Sequence, residues 1–94
     1  MYVRVVRFTG VTQERVDALQ ARVKAAGGPP PGVKATGLEV LFDEAQGSVV
    51  VLQRFDTAAD MQEAAAVFEA MDPGETPGTR TSVDACASVL ELKP

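Results

Sequence analysis

The sequence predicts a single α+β domain of order β-α-β-β-α-β, with one four-stranded antiparallel sheet and two helices on one of its faces. Three observations predict it. Four segments carry apolar residues at strand spacing, and two further segments repeat them at helical spacing. The junctions hold Gly, Pro or a hydroxyl residue of the kind that ends or caps an element. A length of 94 residues leaves room for one domain, spanning residues 1–94, and one core.

The first strand is Tyr2 to Thr9, rich in β-branched residues and broken by Gly10. Thr12 is placed to cap the first helix, and Glu14 lies near the positive end of its dipole. Val16, Leu19, Val23 and Ala26 then share one helical face. Gly27-Gly28-Pro29-Pro30-Pro31-Gly32 stops that helix, since Gly accepts the left-handed cap position and Pro cannot continue a helix. A second strand is expected over about Lys34 to Phe42, followed by the polar loop Asp43-Glu44-Ala45-Gln46-Gly47 and a third strand from Ser48 to Phe55. Thr57 and Asp60 resemble a capping box for a second helix reaching about Met71, with Met61, Ala64, Ala65, Phe68 and Met71 on one face. Asp72-Pro73-Gly74 ends it, a loop runs from Pro73 to Arg80, and the fourth strand is expected over Thr81 to Leu92. This order is the ferredoxin-like split β-α-β arrangement. The right-handed crossover rule places both helices on one face, with strand order four-one-three-two. The two halves correspond in layout: Phe8 closes the first strand and Phe55 the third, each just before a capped helix.

Composition removes whole classes of function. The chain has no His, Trp, Asn or Ile, and one Cys. Ser-His-Asp and Cys-His catalysis and His-ligated metals are therefore excluded, as are an intrachain disulfide and a thiolate zinc cluster. No cofactor and no metal are expected. The net charge is −4, without the basic stripe that nucleic acid or an anionic membrane surface requires. The longest apolar run, Val49 to Leu52, is too short to span a bilayer. The alternating N-terminus lacks the long apolar stretch of a secretory peptide, so a cytoplasmic location is expected. Six Arg against three Lys, with no Asn or Ile, suggest a GC-rich bacterial genome. Gly74 and Gly78 lack phosphate-loop spacing, and Asp43 with Glu44 supplies too few carboxylates for calcium.

The strands are apolar on both sides. Val49 and Val51 oppose Val50 and Leu52; Val3 and Val5 oppose Tyr2, Val6 and Phe8; Leu38, Val40 and Phe42 oppose Leu41. Two helices cover one face only, and the simplest cover for the other is a second copy of the same sheet, giving a homodimer. The polar exceptions then carry information: Arg4, Gln53, Arg54, Asp84 and Cys86 are the candidate ligand-binding residues. Arg4 and Asp84 lie on adjacent strands and are expected to pair. In the functional interpretation this cluster holds a small apolar or aromatic ligand in a dimer cavity. In the structural one, which is favoured, the same residues fix register or sit at the rim. Cys86 is expected to be a buried, inert thiol, having no His to activate it. Tyr2 and the stripe Met61, Phe68, Met71 are expected to be packing residues, and Glu39, Glu63 and Glu69 solvated or rim charges.

Three segments carry a family resemblance: Met1-Tyr2-Val3-Arg4-Val5-Val6-Arg7-Phe8 with its polar turn and helix, Pro31-Gly32-Val33-Lys34 through Leu41-Phe42-Asp43, and Arg54-Phe55-Asp56-Thr57-Ala58-Ala59-Asp60-Met61. Together they resemble the dimeric α/β-barrel superfamily of antibiotic-biosynthesis-monooxygenase-like and stress-responsive barrel proteins. The resemblance implies a barrel built from two sheets and a cavity in each subunit between sheet and helices. Some members oxidise aromatic polyketides without metal or flavin, and some degrade haem. The Asn, Trp and His of haem-degrading relatives are absent here, and Phe55 stands where many relatives have Trp. Acylphosphatases share the element order, but their catalytic Asn has no counterpart; RNA-recognition domains share it too, but need sheet aromatics and basic charge missing here. The expected function is a non-catalytic small-molecule-binding or assembly module. The alternative is a cofactor-independent monooxygenase-like enzyme acting on a small aromatic substrate.

Overall fold

In the computed structural model, which describes residues 1–70 and 76–92, six elements follow the expected order. They are β1 (Tyr2–Thr9), α1 (Gln13–Ala26), β2 (Gly37–Asp43), β3 (Ser48–Phe55), α2 (Ala58–Glu69) and β4 (Thr79–Ala87). All pairings are antiparallel and the sheet order is β2-β3-β1-β4. This is the ferredoxin-like topology, with the most apolar strands, β1 and β3, in the centre.

The caps form where the hydroxyls predict them. Thr12 Oγ1 accepts from the Arg15 amide at 3.3 Å, and Thr57 Oγ1 from the Asp60 amide at 3.1 Å. Gly27 ends α1 in the left-handed conformation, at φ 71°. In the β2–β3 loop, Asp43 Oδ1 accepts from the Gln46 amide at 3.2 Å and Gly47 takes φ 62°, an arrangement that L side chains rarely adopt.

Three boundaries differ from expectation for one reason, the availability of a pairing partner. β2 begins at Gly37 rather than Lys34, because its neighbour β3 ends at Phe55; the Thr36 amide still donates to the Arg54 carbonyl at 2.7 Å. β4 ends at Ala87 rather than Leu92, because β1 begins at Tyr2 and the last bond is Ser88 N–H to the Met1 carbonyl at 2.9 Å. β4 also starts two residues early, at Thr79, through a bulge. Arg7 pairs with Ser82 but Phe8 with Arg80, which leaves Thr81 as the extra residue. The Thr81 hydroxyl donates to the Arg7 carbonyl at 3.3 Å. The α2 helix ends at Glu69, with Ala70 as its C-cap. Met71 and the stop signal Asp72-Pro73-Gly74 lie outside the described residues.

Register assigns the two faces. Arg4, Val6 and Phe8 of β1 lie beside Gln53, Val51 and Val49 of β3 on the helix side. Two buried clusters form there. Val6, Phe8, Val11, Val16 and Val49 sit under the start of α1; Val33, Phe55, Met61 and Ala64 sit under the start of α2. Phe8 and Phe55 thus each anchor one cluster, and Phe55 is fully buried. α1 meets the sheet through its N-terminal half, whereas α2 packs along its length, from Met61 and Ala64 to Val67 and Phe68. Of the predicted α1 face only Val16 is buried, at 3% exposure, whereas Val23 is 40% exposed and Ala26 is exposed. The C-terminal half of α1 stands off the sheet and leaves a space.

The reverse face carries no helix. Val3, Val5, Val50, Leu52 and Leu41 form its apolar strip. Ion pairs flank it on both sides: Arg7 Nη1 with Asp84 Oδ2 at 2.6 Å, and Arg54 Nη2 with Glu39 Oε2 at 3.5 Å. No helix among the described residues is long and apolar enough to cross a membrane.

Candidate functional site

The space left by α1 is a cavity of about 1060 Å³ between the helices and the sheet. Its floor is the helix side of the sheet, including Val6, Val40 and Val51. Leu19, Val23 and Ala26 of α1 form one wall, so the apolar stripe that the sequence assigned to the core faces the cavity instead. The Gly-Pro segment with Val33, Ala35 and Thr36 forms another wall. The helix stop thus has a second role: prolines cannot fold back onto the sheet as helix or strand, and the rigid segment bridges the gap.

Arg4 lies at the centre of the floor. It is the one buried charged residue among the described residues, 4% exposed. Its Nη1 donates to Gln53 Oε1 at 3.0 Å across the β1–β3 register, and its guanidinium carbon stands 4.8 Å from the centroid of the Phe68 ring. Nε is buried and has no hydrogen-bond partner. No carboxylate pairs with Arg4 among the described residues. Burial pushes the guanidinium below the usual arginine pKa; repulsion from Arg80 adds to this and attraction to Glu69 opposes it. Arg80 and Glu69 both line the cavity and pair with each other at 3.4 Å, on the exposed side.

The five candidate residues do not form one cluster. The sheet separates Arg4 and Gln53, on the cavity side, from Arg54, Asp84 and Cys86, on the reverse face. The expected Arg4–Asp84 pair is absent for this reason: strand alternation sends the two side chains to opposite faces, and Asp84 bonds Arg7 instead. Cys86 is exposed in the single chain, not buried, because no element among the described residues covers its face. Tyr2 packs against the second cluster as expected, Met61 is buried in it, and Phe68 both packs there and lines the cavity. Glu39, expected at the solvent or rim, pairs with Arg54; Glu63 lies 3.8 Å from Lys34.

Arg80 and Phe68 have roles in the cavity that the sequence expectations did not assign. Arg80 reaches the cavity side only because the bulge at Thr81 shifts its parity, and a bulge leaves no clear mark in Thr79-Arg80-Thr81. Phe68 was assigned to packing alone; its helical stripe could not reveal that a guanidinium lies beneath the ring. In comparisons with protein-family models, curated proteins and solved structures, nothing matches the chain.

Proposed function

We propose that this chain is a small-molecule-binding subunit of the dimeric α/β-barrel kind, holding an apolar or aromatic ligand between its sheet and helices. One observation carries the proposal: a cavity of about 1060 Å³ with apolar walls and a single buried arginine in its floor. Ligand sites have this character, concave and largely apolar with a few convergent polar groups. Binding is favoured over turnover because the charged groups around the cavity, among the described residues, are Arg4, Arg22, Arg80 and the ion-paired Glu69. Arginine orients and neutralises a ligand but does not exchange protons near neutral pH.

The reverse face supports the homodimer. A folded monomer of 9.9 kDa is expected to expose about 5,200 Å², whereas this chain exposes 6210 Å². The excess is about 1,000 Å², to which the open cavity, the reverse face and the exposed C-terminal tail all contribute, and a standard interface needs about 800 Å² from each partner. The strip of Val3, Val5, Val50 and Leu52 between two ion pairs suits a self-complementary contact. The exposed tail Val89, Leu90 and Leu92 pairs with no strand among the described residues, and in this proposal it lies along the second copy.

The test uses Nile red, a neutral dye that brightens in apolar sites. One dye per chain is expected, and Ala26→Trp, which intrudes into the cavity from its exposed wall, is expected to weaken the signal. Equal dye binding by wild type and Ala26→Trp would move the site elsewhere. Oxygen consumption on addition of an aromatic ligand would overturn the preference for binding over turnover.

A further inference from the structure

We infer that the ligand is an organic carboxylate, seated with its charged group on Arg4 and its apolar body along the cavity walls. This rests on the cavity being the binding site, as proposed above, and adds the chemical class of its occupant. Three features of the structure argue for it.

The first is the incomplete coordination of Arg4. Gln53 takes the Nη1 edge and the Phe68 ring covers one face of the guanidinium. The Nε edge, which together with Nη2 forms the side-on fork that grips a carboxylate, keeps a buried donor without a partner. Buried polar groups are almost always satisfied, and one that is not marks strain or an absent partner. Gln53 itself explains the geometry. Its carbonyl oxygen neutralises no charge, so it fixes the direction of the fork while leaving the positive charge available.

The second is the charge distribution. The chain is acidic overall, at −4, yet among the described residues the charged groups lining the cavity are Arg4, Arg22, Arg80 and Glu69. Half of the six arginines therefore surround one apolar space, which attracts anions into a site that the surface charge of the whole molecule would not favour. Burial of Arg4 strengthens its interaction with an entering anion, since less water screens it.

The third is shape. The floor groups are Arg4 and Gln53, whereas Val6, Val51, Leu19, Val23 and Val33 supply apolar surface around them. A ligand with charge at one end and hydrocarbon elsewhere satisfies both parts. A fully polar anion such as phosphate would leave the walls unoccupied, and a neutral hydrocarbon would leave the buried Nε unpartnered.

Isothermal titration with 2-naphthoate and 2-naphthalenemethanol, which share a ring system and differ in charge, tests the assignment. The wild type is expected to bind the carboxylate at least about tenfold more tightly, the scale of a hydrogen bond to a charged group. Arg4→Met is expected to bind both probes alike. Arg80→Gln, a change at an exposed position that leaves the core intact, is expected to weaken the carboxylate about two- to threefold and the alcohol not at all. Equal binding of the two probes by the wild type would overturn the assignment and leave the cavity proposal standing. Binding of neither probe, with no Nile red signal, would remove the cavity proposal itself.

Discussion

Arg4→Met is expected to stabilise the unligated protein, a reversal of the usual effect of changing a buried residue. The unpartnered Nε costs about 1–3 kcal/mol in the empty cavity, and methionine removes that cost. Two contacts are lost in exchange. Gln53 loses its partner, at about 1 kcal/mol, and the Phe68 contact with a cation loses about 0.5–1 kcal/mol. Methionine has the length to keep its thioether against that ring and recovers part of the second loss. The net gain is then up to about 1 kcal/mol, or a rise of up to about 4–8 °C in Tm for a domain of this size. Arg4→Met with Gln53→Leu removes the stranded amide as well and is expected to add about 0.5–1 kcal/mol. The gain has a defined pH dependence. The folded-state pKa of Arg4 lies below its unfolded value, so the penalty is fully present at every pH below the folded value. It disappears only as pH rises through that value, and arginine stays protonated across the accessible range. Thermal melts at one fixed protein concentration, followed by circular dichroism at several pH values, measure the change. A loss of more than about 1 kcal/mol in the single variant would instead show Arg4 to be a fully satisfied structural post.

Gly78→Ala is expected to destabilise the fold by about 1–3 kcal/mol in urea titrations, because the added methyl would meet the Thr9 carbonyl oxygen and approach Val11 Cγ2 to 2.9 Å. Thr57→Ala removes the acceptor for the Asp60 amide and is expected to cost about 1 kcal/mol, while Thr57→Ser should stay near wild type. Leu52→Asp, on the reverse face, is expected to halve the mass seen by light scattering while Nile red binding persists; a wild-type mass of 9.9 kDa at micromolar concentration contradicts the dimer. Binding of 2-naphthoate is expected to be flat from about pH 6 to 9, since Arg4 and the probe both keep their charge, and titration calorimetry across that range checks it.

The sheet was legible because its information is local. Period-two runs, Gly27 and the hydroxyls of Thr12 and Thr57 each specify their own element, and the structure forms all of them. Face assignment within a strand followed from parity: Val3 and Val5 share one face of the sheet, and Val6 and Phe8 the other, as expected. Pairing Arg4 with Asp84 needed the register between strands as well, which sets Ala85 against Arg4 and Asp84 against Val5 on the other face. Strand ends were not legible, because β2 and β4 stop where their neighbours stop, a tertiary fact. The cavity was not legible from residue types either. Leu19, Val23 and Ala26 read as core face whether a helix lies on the sheet or stands off it, and only the Gly-Pro segment that holds the space open could have hinted otherwise. Arg80 entered the site through one extra residue, Thr81, in a strand whose sequence carries no clear sign of a bulge.

The most direct test of the account is the side-chain ¹⁵N–¹H resonance of Arg4 Nε during titration with 2-naphthoate. This resonance is expected to move strongly toward a hydrogen-bonded shift, together with the Gln53 side-chain amide, while the Nε resonances of Arg7 and Arg54 on the reverse face stay in place. A titration that saturates with Arg4 Nε unmoved, or with the shifts confined to Arg7 and Arg54, would contradict it.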